Sequence, residues 1–110
     1  MKKILIVDDD PQNRYLLKLV LQKENIEVIE AETGEDGLKK INGEHPDLII
    51  LDVMMPDING FQIYEKIKDK NIPVIFLTAM ADNDFQNEVE YIVKPVDIDV
   101  LVNTIKRYLK

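Results

Sequence analysis

The chain contains no cysteine, which excludes a disulfide framework, a thiol nucleophile and a cysteine-ligated zinc. Histidine is almost as scarce. The single His45 stands beside Pro46 in a polar turn, without local partners for catalysis or metal ligation, and reads as a surface loop residue. Long hydrophobic runs are missing as well. Met1-Lys2-Lys3 leads straight into a short apolar stretch, too short for a signal peptide or a membrane span. Positive charge is in deficit, with 14 Lys and Arg against 21 Asp and Glu and a formal net charge of −7. A nucleic-acid surface normally shows a basic patch. The basic residues here are scattered, as at Lys39-Lys40 and Lys66 to Lys70, and read as solvated helix faces. There are no repeats, low-complexity tracts or linkers. One domain over residues 1–110 is expected, long enough to bury roughly two-thirds of its unfolded surface without staples. It is expected to be soluble, in a reducing compartment and most simply cytoplasmic, with no direct nucleic-acid or membrane partner.

What the chain does have is a short, unbroken apolar run that ends on an acid. Leu48-Ile49-Ile50-Leu51 stops at Asp52, the pattern of a strand buried on both faces in a parallel sheet. Pro56, Asp57, Asn59 and Gly60 follow and turn the chain. An acid is thus held at the carboxyl end of a central strand, where open α/β sheets bind ligands.

The remaining segments repeat that plan. Lys3 to Val7 reads as a strand ending in Asp8-Asp9-Asp10, and Asp10-Pro11 as an N-cap with proline at the first helical position. The helix to about Glu24 carries an apolar stripe of Leu16, Leu17, Val20 and Leu21, and Asn25 ends it. Ile26 to Glu30 alternates, as an edge strand does. Thr33 caps a second helix with Leu38 and Ile41 inward, closed by Asn42-Gly43; Gly37 inside it costs roughly 1 kcal/mol relative to Ala. Gly60 to Lys70 reads as a third helix burying Phe61, Tyr64 and Ile67. Ile72 to Leu77 is a fourth strand, with Pro73 at its tolerant first position, and Tyr91 to Val93 a fifth. The last helix starts near Asp97 and buries Ile98, Leu101, Val102, Ile105 and Leu109. Strand and helix alternate five times, so a parallel sheet with right-handed crossovers is expected.

Four strands each deliver a polar feature at the carboxyl end: Asp8-Asp9-Asp10, Asp52, Thr78 and Lys94. Parallel strands place those ends on a single rim. Each feature alone is ordinary, whether as a turn, a helix cap, a strand-end hydroxyl or a surface amine. Together they assemble carboxylates for a hard divalent cation, a hydroxyl donor and one ammonium. Crowded carboxylates repel, and Mg²⁺ relieves this through oxygen ligands while keeping several waters.

Four segments, Ile4 to Asp10, Leu51 to Gly60, Leu77-Thr78-Ala79 and Tyr91 to Pro95, closely resemble the receiver domains of two-component response regulators of the chemotaxis type. The resemblance spans the whole chain. It implies a flavodoxin-like, doubly wound, five-stranded parallel sheet of order 2-1-3-4-5, an order for which a member of this family is a standard example. It also implies phosphorelay signalling by a phosphoacceptor that assists its own phosphorylation and dephosphorylation, rather than an enzyme. Asp52 is then the phosphoacceptor, receiving its group from a sensor histidine kinase, a phosphotransfer protein or a small phosphodonor. Asp8, Asp9, Asp52 and the backbone carbonyl of Met54 correspond to the Mg²⁺ ligands, Lys94 to the cation that meets a phosphoryl oxygen, and Thr78 and Tyr91 to the switch pair. Asp10 corresponds to the helix cap, and Lys94-Pro95 to the family's cis peptide bond.

One departure stands out. Between Thr78 and Lys94 the chain is about half a dozen residues shorter than typical receivers, and a parallel crossover usually takes a dozen or more. The helix between the fourth and fifth strands is therefore expected to be lost or cut to about two turns near Asp84 to Val89, with Phe85 and Val89 on the core. The partner surface would then differ from the family's usual one. Met54 and Met80, each two residues past a site residue, are expected to hinder an attacking water and prolong the phosphoryl group. Two rivals remain. A degenerate receiver would only bind partners, and a Mg²⁺-dependent phosphohydrolase would need an acid where Met54 stands. Nothing in the 110 residues reads as a DNA-binding or enzymatic output domain, so a stand-alone receiver docking on an unknown protein target and a piece of a longer protein are both open.

Overall fold

A computed structural model of the chain describes residues 1–79 and 90–109. In chain order the elements are β1 (Lys3–Val7), α1 (Pro11–Lys23), β2 (Glu27–Ala31), α2 (Gly34–Glu44), β3 (Leu48–Asp52) and α3 (Gly60–Ile67). A 3-10 turn (Lys68–Lys70), β4 (Val74–Thr78), β5 (Glu90–Val93) and α4 (Ile98–Tyr108) follow. The strands form one sheet of order β2-β1-β3-β4-β5, parallel throughout. This is the flavodoxin-like arrangement that the alternation of strand and helix implies. The shortened helix expected at Asp84 to Val89, Phe85, and Met80 all fall on residues 80–89, outside the described residues. No helix among the described residues is long and apolar enough to cross a membrane.

Side-chain alternation along the strands sorts the core into two layers. Ile4, Ile6, Leu48, Ile50, Ile75, Leu77 and Ile92 face α1 and α4, where Leu17, Leu21, Leu101 and Ile105 cover them. Leu5, Val7, Ile49, Leu51 and Phe76 face α2 and α3, against Ile41, Ile63 and Ile67. Leu48 to Leu51 are all fully buried, which is why that run carries no polar residue. β2 lies at one edge, and its alternating sequence matches its thinner cover.

The helices begin where their caps dictate. Asp10 accepts from Gln12 N, Thr33 from Asp36 N, and Asp97 from Asp99 N and Val100 N. Asn59 and Gln62 form a capping box ahead of α3, which the residues between Pro56 and Gly60 had suggested only as a turn.

Several details differ from the sequence reading. Leu16 is 45% exposed, because α1 touches the sheet along the narrow line of Leu17 and Leu21 and Leu16 is rotated off it. α2 runs past Asn42-Gly43 to Glu44 and is closed by His45, whose φ of 50° is left-handed. The histidine is thus a helix C-cap rather than a plain loop residue. Ile63 lies deeper than Phe61 and Tyr64, whose rings instead pack on Phe76 at centroid distances of 5.2 and 5.6 Å.

Two glycines test the packing. A Cβ on Gly60 would lie 2.6 Å from the Asp52 carbonyl oxygen and 3.1 Å from Val53 Cα, and neither backbone atom can give way. A Cβ on Gly43, inside α2, would meet nothing within 4 Å. Gly60→Ala is therefore expected to destabilise by about 1–3 kcal/mol, while Gly43→Ala stabilises by up to about 1 kcal/mol. Denaturant unfolding of both variants checks the pair, and equal effects would contradict it.

Candidate functional site

Register brings the strand ends level. Val7 pairs with Leu51 and Asp52 with Leu77, so Asp8, one residue past β1, arrives beside Asp52. Thr78 pairs with Val93, so Lys94 follows immediately on the neighbouring strand, and its N–H donates to the Thr78 carbonyl at 2.6 Å. The strand order changes direction between β1 and β3, and the rim opens at that point, where doubly wound sheets place their ligands.

Four of the expected residues converge closely. Carboxylate oxygens of Asp8, Asp9 and Asp52 all lie within 4.8 Å of one another. Lys94 Nζ stands 3.4 Å from Asp52 Oδ1 and 3.5 Å from Asp8 Oδ2. Asp8 and Asp52 are buried, whereas Asp9 is exposed. Thr78 is fully buried at the end of β4, and Tyr91 is half-buried, in register with Phe76 and packed on the α2–α3 side of the core. Met54 is 63% exposed at the mouth, and its backbone N–H donates to Asp52 Oδ1 at 3.3 Å. Lys94-Pro95 is cis, and Asp10 caps α1.

The donor chemistry suits a hard divalent cation. Among the described residues three carboxylates face a single ammonium, leaving an excess of negative charge. Octahedral Mg²⁺ holds oxygens at about 2.0–2.1 Å, so its ligand atoms sit roughly 3–4 Å apart, a spacing these oxygens reach with small movements or through a water.

Sequence reading missed three residues that hold the site. Asn13 Nδ2 donates to Asp8 Oδ2 at 2.5 Å, and Arg14 Nη1 donates to the Asp8 carbonyl at 2.7 Å. Both sit in the first turn of α1, which the capping at Asp10 and Pro11 aims back at the end of β1. The signal available was polar residues in a first turn that directly follows an acidic strand end. Asp57 accepts from Gly34 N and Glu35 N, each at 3.1 Å. It thereby ties the loop after Asp52 to the start of α2, and the Gly34 N–H leads the bonds that hold its carboxyl below the usual carboxylate range. That partner lies 23 residues away in sequence, beyond the reach of local patterns.

Burial, reinforced by the neighbouring Asp8 charge, pushes the Asp52 carboxyl up from 3.8 to about 6, against the opposing pull of Lys94. A raised acid pKa means that the folded protein binds a proton which the unfolded chain has already released. Stability is thus lost as pH rises from about 4 to about 6 and stays lower above, by up to about 3 kcal/mol. Asp52→Asn removes that penalty. In Mg²⁺-free buffer its Tm is expected to exceed that of the parent above about pH 7 and to converge with it below about pH 4. Thermal melts across this range check the claim, and a gap that widens towards acid would contradict it.

Comparison with known proteins agrees with this geometry. The response regulator receiver domain model matches residues 4–106. PilH of Pseudomonas aeruginosa is 38% identical over 119 residues, which cover 99% of this chain and 98% of PilH. TrrA of Thermotoga maritima, solved in complex with Mg²⁺-BeF, superposes with a TM-score of 0.88 at 39% identity, over 99% of this chain and 100% of that one. A chain from the complex of the histidine kinase ThkA with TrrA gives a TM-score of 0.89 at 40% identity, with both chains covered completely. The chain also spans about half the length of other, longer curated relatives. With the family matched across nearly every residue and its acid cluster assembled on the sheet's rim, the chain belongs to the response regulator receiver domain family.

Proposed function

We propose that the chain accepts a phosphoryl group on Asp52 and passes the signal on by changing which protein it binds. The observation that carries this reading is Lys94 Nζ set between Asp52 and Asp8 at 3.4 and 3.5 Å, with Asp9 alongside. TrrA, similar over the full length, was solved with Mg²⁺-BeF and also in complex with a histidine kinase, which favours a kinase or phosphotransfer protein as the donor here.

In this reading a carboxylate oxygen of Asp52 attacks the phosphorus of a phosphohistidine. The new P–O bond forms as the P–N bond breaks, and the imidazole leaves with the electron pair and takes a proton from solvent. Little covalent work falls to the protein, so positioning and charge supply most of the catalysis. Asp8, Asp9 and Asp52, with the Met54 carbonyl, would hold Mg²⁺, whose charge, when it is bound, balances the phosphoryl oxygens. Lys94 stands near enough to Asp52 to pair with one of those oxygens. Thr78, buried on the adjacent strand end, supplies a hydroxyl donor, and Tyr91 responds behind it on β5.

Two measurements test this. Treated with Mg²⁺ and a small phosphodonor, the parent protein is expected to gain one phosphoryl group by intact mass and Asp52→Asn none. Undiminished uptake by the variant would overturn the assignment. Met54→Asn, which puts a polar group where a thioether now stands 63% exposed, is expected to speed loss of the phosphoryl group several-fold by helping to orient a water. An unchanged or slower rate would remove the shielding role of Met54.

A further inference from the structure

We propose, on the reading that Asp52 is the phosphoacceptor, that Asn13 is a positioning residue of the site: its carboxamide holds the Asp8 carboxylate so that Lys94 can leave it. Asp8 is fully buried and takes three donors among the described residues. The Asp10 N–H reaches Oδ1 at 2.9 Å, Asn13 Nδ2 reaches Oδ2 at 2.5 Å, and Lys94 Nζ reaches the same Oδ2 at 3.5 Å. An ionised carboxylate can only accept, so the amide nitrogen of Asn13 is the atom that must face it.

Lys94 meanwhile stands 3.4 Å from Asp52 Oδ1, dividing one ammonium almost evenly between two acids. In the metal-free protein, a lysine that served as the sole side-chain partner of Asp8 could not shift toward Asp52 without leaving a buried carboxylate underpaired. Asn13 lifts that constraint. With Lys94 drawn away, Asp8 keeps an amide on Oδ2 and a backbone N–H on Oδ1.

The hold is rigid because Asn13 sits in the first turn of α1, whose N-cap Asp10 is itself bonded to Asp8. The next residue, Arg14, donates to the Asp8 carbonyl at 2.7 Å and pairs with Glu30 at 3.4 Å. Consecutive helix residues therefore clamp the side chain and the main chain of one acid. Partners that orient a ligand from behind are commonly worth 10–100-fold in metal affinity, so the same clamp prepares Asp8 for a cation.

The test titrates Mg²⁺ alone into the full chain by calorimetry, for the parent, Asn13→Ala and Leu21→Ala, each well below its Tm. Asn13→Ala is expected to bind Mg²⁺ about tenfold or more weakly and, at saturating Mg²⁺, to take phosphoryl groups from a small donor more slowly. Leu21→Ala loosens α1 without touching Asp8 and is expected to bind as the parent does. Parent-like affinity in Asn13→Ala overturns the proposal and leaves the Asp52 reading standing. Equal weakening in Leu21→Ala overturns it by reducing Asn13 to a structural role. A parent protein that takes neither Mg²⁺ nor phosphoryl groups overturns both. Should Asn13→Ala fail to fold, the parent's own Asn13 side-chain amide decides by NMR. It is expected to stay protected from exchange after phosphorylation, and an amide released to solvent would overturn the proposal.

Discussion

Two like charges kept side by side out of water set the terms for the whole molecule. At about 4 Å, in an environment with an effective dielectric near 20, such a pair repels by roughly 4 kcal/mol. Asp8 and Asp52 are held in this way at the ends of two neighbouring interior strands. Lys94 offsets part of the repulsion by approaching both, and Asp9 adds to it from the exposed side. Left alone, such a cluster would splay or take up protons, and the Asp52 carboxyl is pushed up first by its burial and then by the Asp8 charge beside it. The burial that makes the pair costly also makes it useful, because charges in a water-poor rim respond strongly to any further charge brought among them.

A frame that resists splaying is therefore required, and the sheet supplies it from both layers. β1 and β3 carry fully buried residues on each face, so neither strand can shift without opening a cavity. The loop after Asp52 is fixed twice more. Gly60 N–H donates to the Val53 carbonyl at 2.9 Å where only glycine fits, and Asp57 caps α2 across the layer. On the other side, α1 grips Asp8 through Asn13 and Arg14. The helices thus cover the core and also pin the turns from which the acids project.

This division explains what was legible in the sequence. Strands buried on both faces must be apolar throughout, so Ile4 to Val7, Leu48 to Leu51 and Ile75 to Leu77 announced themselves, and parallel order then fixed which ends met. The convergence of Asp8, Asp9, Asp52 and Lys94 on one rim followed from that topology. Leu16 misled because helical spacing names a stripe but not its width. The His45 cap was hidden because the local signal at Asn42-Gly43 pointed to an earlier stop. Asn13 left only a weak local trace, a polar residue in the turn after an acidic strand end, whereas Asp57 acts across 23 residues on the start of α2, and no local pattern encodes that placement.

The acids and their counter-charge are anchored unequally. Asp8 and Asp52 stand at the ends of interior strands, each paired on both sides, whereas Lys94 follows β5, an edge strand of four residues whose one neighbour among the described residues is β4. Its side chain is also more open to water than theirs. When the charge at Asp52 changes, Lys94 is therefore less firmly held than Asp8 or Asp52. Its backbone is bonded to Thr78, and Tyr91 lies three residues back on the same strand against Phe76. Within the proposed function, a charge added at the centre of the sheet is thus felt along its β5 edge, because the buried Asp8 and Asp52 are held by both their neighbouring strands and the edge cation is held less.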